Sequence, residues 1–371
     1  MKEEAMKYVA PAALGLILAA ACGSDEAGDA GGSAPERASG ASLAVVDTIG
    51  VGMGDSLYMF GTVDALAHGP DGEVLVLDGM RNSIGRYSPE GEFLNWIGRE
   101  GEGPGELLHP SDMALVPERG LAVNDLAQSR ITFFDQQGDV GEEIKGFTPF
   151  PPTRLCGSTI GLVGSRREFD RQGNRYGFAV GLWTGSPEMD RLYHSRMMEF
   201  NRDDIQRTVS ATSITFAASQ FDGRVYVAPL STEEYSVLIY SPEGTLEAEI
   251  SQSRPSVRRP EADIERERED MNRQLREEGA PEDMLWEPRE HRYQIAGLWV
   301  GPENRLWILD GTCEDPLFHV CSPQCEALFD CRVEGLSGSH WDFAIDAGGF
   351  MATQSDPLDF PRVYILSLQE E

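Results

Sequence analysis

The sequence predicts an all-β fold, a six-bladed β-propeller closed by its N-terminal strand joining the C-terminal blade, with one charged helical insertion. Three observations predict it. Short apolar runs joined by Pro/Gly turns sit too close together for intervening helices. One strand-and-turn block recurs along the chain. The first and last segments are each an incomplete copy of that block.

The fullest copy spans 73–112. EVLVLD at 73–78 is one apolar run, 82–87 is a second, YSPEG at 87–91 is a turn and EFLNWI at 92–97 a third run. The turn returns as YSPEG at 240–244, as CSPQC at 321–325 and, more loosely, as FDQQG at 134–138. The strand before it returns at 121–125, 224–228 and 305–310. An Asp-Gly turn, an apolar strand ending in Asp, the Ser-Pro-Glu-Gly turn, a strand ending Ile97-Gly98 and then GEGPGE at 101–106 with Pro110 follow in that order. This succession resembles NHL-repeat six-bladed propellers of the bacterial lipoprotein type. The resemblance covers roughly 43–368, with the third unit near 152–209 departing from the pattern. It implies a fold and a ligand-presenting scaffold, because the family has no single activity.

Residues 1–21 read as a signal peptide. Lys2 and Lys7 precede an apolar run at 8–21 that is short for a bilayer span and ends in AAAC at 19–22. Small residues before Cys22 mark it as a lipidation site, although Leu18 stands one place upstream of the usual position. An acylated Cys22 would hold the chain to a membrane facing the periplasm or the exterior. Residues 22–42, rich in Gly, Ala, Ser and acidic side chains, read as a flexible tether, leaving 43–371 as the propeller.

The formal net charge of -31 excludes nucleic acid as a partner, since phosphates would be repelled. It fits a solubilising exterior, cationic partners or divalent metal ions. No cofactor is predicted, Ca2+ remaining an option at the channel, and the expected state is a monomer.

Topology follows from spacing. Gly50 and Gly98, and likewise Asp64 and Asp112, stand 48 positions apart. LAVVDTIG at 43–50 therefore reads as an outer strand lacking inner strands, and 348–353 with 362–368 as a last blade lacking its outer one. Pairing the two closes the ring and removes exposed edges. The blades are then 63–98, 110–144, 152–209, 213–250, 295–333, and 340–368 plus 43–49. Two insertions interrupt them. The first, 166–190, carries Gly177, Gly181, Gly185 and Pro187 and reads as a long hairpin or loop. The second, 251–292, carries Pro260, early acidic residues and Gly279, which bound a helix whose apolar stripe is Ile264, Met271 and Leu275. That helix, beside Met284 and Trp286, reads as a lid, a docking element or a solvated cover for the channel.

Five cysteines follow Cys22. Outside the cytoplasm they are expected to oxidise. Cys321 with Cys325, nested inside Cys313 with Cys331, is the preferred pairing, a zinc site the rival, and Cys156 is left over. No G-x-S-x-G elbow, P-loop, H-E-x-x-H or calcium loop is present.

What recurs is aspartate at the start of inner strands: Asp64, Asp112 and Asp342, with Thr215 and Ala296 at the equivalent place elsewhere. These carboxylates line the channel mouth in this reading, with His68, His109 and His340 near the same strands. Either each Asp caps its own turn, or the set holds a divalent cation as in gluconolactonase- and paraoxonase-like propellers. Trp183, Trp286, Trp299 and Trp307 divide between ligand cleft and core. Two functions are carried forward: a membrane-tethered binding or scaffold module for a peptide, glycan or protein partner, and a metal-dependent lactonase- or esterase-like hydrolase.

Overall fold

The computed structural model describes residues 38–148, 150–170, 172–200, 205–277, 279, 285–311, 316–336, 341–354 and 360–370. The expected signal peptide at 1–21, Cys22, Met284, Cys313 and His340 lie outside the described residues. Among the described residues no helix is long and apolar enough to cross a membrane.

The chain is all-β and propeller-like. β1 (Ala38–Ile49) is followed by β2–β5 (Ala65–His68, Val74–Asp78, Ser83–Tyr87, Phe93–Ile97) and a short pair, β6 (Arg99–Glu100) and β7 (Glu106–Leu107). Next come β8–β11 (Pro110–Val116, Gly120–Asp125, Arg130–Phe134, Val140–Lys145) and β12–β15 (Arg154–Ser158, Gly161–Asp170, Arg175–Trp183, Arg191–Glu199). Helix α1 (Ile205–Thr212), β16–β19 (Ile214–Ala218, Val225–Pro229, Tyr235–Tyr240, Leu246–Gln252) and α2 (Glu261–Glu277) follow. The chain ends in β20–β23 (Ile295–Val300, Leu306–Asp310, Leu317–Cys321, Ala327–Glu334) and β24–β26 (Trp341–Asp346, Gly349–Gln354, Val363–Glu370).

Four of these runs, β2–β5, β8–β11, β12–β15 and β16–β19, are separate four-stranded sheets. Apart from the β6–β7 pair, the remaining strands form one eight-stranded sheet in the order β20-β21-β22-β23-β1-β26-β25-β24. The cause of the merger is the length of β1. Its C-terminal part runs antiparallel to β26, Ile49 opposite Val363, while its N-terminal part runs parallel to β23, Ala38 opposite Phe329. The expected tether boundary is corrected by the same pairing. Residues 38–42 look like linker by composition, yet Ala41 and Ser42 have partners on both sides, Cys331 and Arg332 on one and Glu370 and Gln369 on the other. Hydrogen-bonding the backbone on two flanks offsets the lack of apolar side chains.

Apolar clusters sit between successive sheets. One joins Leu75, Leu77 and Ile84 to Met113, Val123 and Phe134, and the next joins Ile131 and Phe133 to Leu155, Leu162 and Trp183. The series ends where Ile49, Met351 and Val363 meet Val74, Val76 and Tyr87, which seals the last strands against the first sheet. Complete burial of such a side chain contributes roughly 1.5–3 kcal/mol.

The third sheet corrects the sequence reading. The stretch 166–190 is no insertion but the arms of the sheet's own hairpin, Arg166 opposite Ala179 and Asp170 opposite Arg175. Gly177 suggested a loop. It lies inside β14, where a Cβ would fall 1.9 Å from the Arg196 carbonyl oxygen, so glycine marks close backbone approach. Helix α1 was not expected.

The recurring turn has one geometry. The N–H of Gly91, Gly244, Gly138 and Cys325 donates to the carbonyl of Ser88, Ser241, Asp135 and Ser322 respectively, at 2.8 to 3.0 Å, and all four residues have left-handed φ between 67° and 90°. Cys325 occupies a glycine position. The expected Cys321–Cys325 disulfide is absent, and the described residues contain no disulfide. Cys321 is buried in the cluster of Val237, Ile308 and Leu306, and Cys325 packs against that same cluster. Both sulfurs serve there as apolar volume.

Candidate functional site

The strands that open each run, β2, β8, β12, β16, β20 and β24, neighbour one another in that cyclic order. They surround a cavity of about 500 Å³. Asp64, Asp112 and Asp342 all line it, as does Trp299.

Asp112 is the most strongly perturbed of the three. Its Oδ2 accepts from the Leu155 N–H at 2.7 Å and its Oδ1 from the Met113 N–H at 2.9 Å. Burial pushes its carboxyl up to about 6, against the opposing pull of the Leu155 N–H, the Arg154 charge and the Met113 N–H. Asp64 is exposed and committed locally: its Oδ2 accepts from Thr62 Oγ1 and from the Gly79 N–H, both at 2.7 Å. A Cβ on residue 79 would lie 2.1 Å from that oxygen, so glycine is required for the contact.

Among the described residues, no group of three or more His, Cys, Asp or Glu side chains comes together to hold a metal ion. Asp64, Asp112 and Asp342 thus share the cavity walls without being gathered into such a group. Cys321, Cys325 and Cys331 likewise form no zinc group.

The histidines separate. His109 is exposed and not part of the lining; its backbone N–H donates to Asp125. His68 is buried at the C-terminal end of β2, where its Nδ1 lies 2.8 Å from Asp346 Oδ1 and its N–H donates to Asp346 Oδ2 at 3.0 Å. Burial raises the Asp346 carboxyl, but His68 and the Gly348 N–H outweigh it and hold the group below its ordinary value. The tryptophans separate too. Trp183 and Trp307 are fully buried core residues. Trp286 is buried against α2, its Nε1 donating to Glu267 Oε1 at 2.8 Å.

Three lining residues were missed by sequence reasoning: Arg154, Arg289 and Tyr293. Arg154 extends from the first residue of β12 and donates from Nη1 to Thr215 Oγ1 at 3.0 Å, its guanidinium carbon 5.4 Å from the Phe216 ring centre and 6.0 Å from that of Trp299. Arg289 stacks on Tyr293 at 3.7 Å. Both belong to the stretch after α2, which is fixed by the buried Arg259. That residue pairs with Glu267 at 2.7 Å and donates from Nη1 to the Arg289 carbonyl at 2.9 Å. The sequence held one signal, a run of Arg at 254–292 with more cations than an apolar stripe explains, but not its target.

No family profile matches this chain, and no curated protein does. It is similar to solved structures at low identity. A candidate exported protein of Bacteroides fragilis has 13% identity and a TM-score of 0.49 over 91% of this chain and 98% of the other. A member of the DUF4221 family from Bacteroides vulgatus has 9% and 0.48 over 89% and 99%. A gluconolactonase of Xanthomonas campestris has 12% and 0.45 over 89% and 99%. Likenesses of this size say nothing about what the chain binds or converts.

Proposed function

We propose that this chain is an envelope-tethered, six-bladed β-propeller of the NHL-repeat type that binds a ligand in the mouth of its central channel without transforming it. The eight-stranded sheet counts as two blades in this reading, since it consists of two four-strand runs sharing the β1–β23 seam. The ligand is a small molecule or the exposed end of a peptide or glycan. The observation that carries the reading is the cavity of about 500 Å³, the size of a ligand pocket, in which half-buried polar groups and the indole of Trp299 face one space. Acylation at Cys22 is the anchor in this reading, checked by mass spectrometry of the mature N-terminus.

The test is a thermal-shift screen of small molecules, glycans and peptides on the full chain and on Trp299→Ala. At least one compound should stabilise the parent by several degrees and lose most of that shift in the variant. A screen whose every stabiliser acts equally on both proteins would place binding elsewhere.

One observation favours a second reading, a metal-dependent lactonase or esterase: three inner-strand carboxylates line the same cavity. Against it, Asp64 and Asp112 already accept backbone N–H groups. Stabilisation by added Ca2+ that disappears in Asp112→Ala would restore it.

A further inference from the structure

Arg289 lines the cavity as a partly buried cation. Its Nε is buried and has no hydrogen-bond partner, and among the described residues no carboxylate lies within ion-pair distance of its guanidinium. The nearby Glu267 is committed to Arg259 and to Trp286. Burial holds the guanidinium below its ordinary value, consistent with an incompletely compensated charge. Arg154 stands in the same cavity with a hydroxyl and a carbonyl as its hydrogen-bond acceptors, Thr215 Oγ1 at 3.0 Å and the Leu298 carbonyl at 3.5 Å.

The scaffold around Arg289 is fixed. The Glu290 carbonyl accepts from the Arg259 N–H at 2.8 Å, and the Gln294 N–H donates to the Ser231 carbonyl at 2.7 Å. Gly311 lets the Tyr293 carbonyl approach so closely that a Cβ there would sit 1.6 Å away. A guanidinium on backbone held this firmly, with no carboxylate partner among the described residues, is preorganised for an incoming anion.

We propose that the channel mouth binds the carboxylate of an organic acid, with Arg289 and Arg154 contacting the anion and Tyr293 and Trp299 flanking its apolar body. This rests on the channel-binding reading and narrows it to a ligand class. A planar guanidinium fork matches a carboxylate in geometry and charge. A cationic ligand fits less well, because Asp64 and Asp112 already spend oxygens on N–H donors while the Arg289 Nε, stacked over Tyr293, has no acceptor among the described residues. A dianionic phosphate would bring a second negative charge against the three carboxylates on the same walls.

The test is calorimetric titration of the full chain with sodium benzoate, benzamide and benzylamine at constant ionic strength. Benzoate should bind at least tenfold more tightly than benzamide, and Arg289→Gln should remove at least tenfold of its affinity. If the variant fails a circular-dichroism check of folding, Arg154→Gln takes its place, and the benzoate–benzamide ratio on the parent needs no variant. Equal binding of benzoate and benzamide, or tighter benzylamine, overturns the anion assignment while leaving the channel-binding reading intact. No binding of any probe also overturns it, the wider reading then resting on the library screen. A free-acid tripeptide and its C-terminal amide, run in parallel, separate the sources. Preference for the free acid over both the amide and benzoate assigns a peptide end, and preference for benzoate assigns a small acid.

Discussion

The two ends of the inner strands treat charge in opposite ways. At their C-terminal ends polar groups are matched: His68 with Asp346, and the Gln220 amide with the Leu115 carbonyl at 3.0 Å. At their N-terminal ends a carboxyl near 6 faces the same cavity as an arginine that has no carboxylate partner among the described residues. Matched pairs hold neighbouring sheets together. Unmatched ones cost stability, and a fold retains such groups where a ligand supplies what is missing.

Substitutions at the two ends should therefore differ in sign. The largest effect is expected from Asp346→Ala, which removes the acceptor for the His68 N–H and ring and for the Gly348 N–H. Hydrogen bonds to a charged group contribute roughly 1.5–3 kcal/mol each before compensation, so a loss of about 3 kcal/mol should appear in the urea midpoint. Because the Asp346 carboxyl is held low in the fold, its contribution is present above the ordinary carboxylate value near 3.8 and is lost as pH falls through the lower folded value. A destabilisation that persists undiminished in strong acid would show that Asp346 acts by packing alone.

A smaller effect of opposite sign is expected from Asp112→Asn. With the folded carboxyl at about 6 and the unfolded one near 3.8, ionisation disfavours the fold progressively as pH rises from about 4 to 6. The variant should flatten that window in a pH series of melting temperatures and, because its amide keeps one acceptor where the carboxylate serves two N–H donors, gain no more than about 1 kcal/mol at pH 8. A parent curve already flat there would place Asp112 in water.

The smallest change is expected from Arg289→Leu, which removes a cation with no carboxylate partner among the described residues and keeps contact with Tyr293. Stability should stay within about 0.5 kcal/mol of the parent or rise slightly. A loss above 2 kcal/mol in chemical denaturation would make Arg289 a structural residue and erase the contrast between the two ends.

Much of the architecture was legible because its causes are local. The Ser-Pro-Glu-Gly turns fix hairpins through a left-handed glycine, and apolar runs such as 74–78 bury completely. Legibility failed where composition and geometry part. Gly177 punctuates like a loop but serves a strand, and 38–42 looks like linker but is sheet because both neighbours hydrogen-bond it. Of the site's aspartates, Asp64 and Asp112 were visible through their 48-residue spacing and Asp342 through its place at the start of an inner strand. Arg154 was not, since the third run departs from the repeat, and Arg289 and Tyr293 lie outside any repeat.

By itself the amino-acid order determined strands, turns and the shared identity of the first and last segments, because side-chain alternation and backbone preference act over a few residues. Only the folded chain decided which charges would be left without partners. Whether an arginine meets a carboxylate depends on distances between residues far apart in sequence, and on how much water the ring of sheets admits between them.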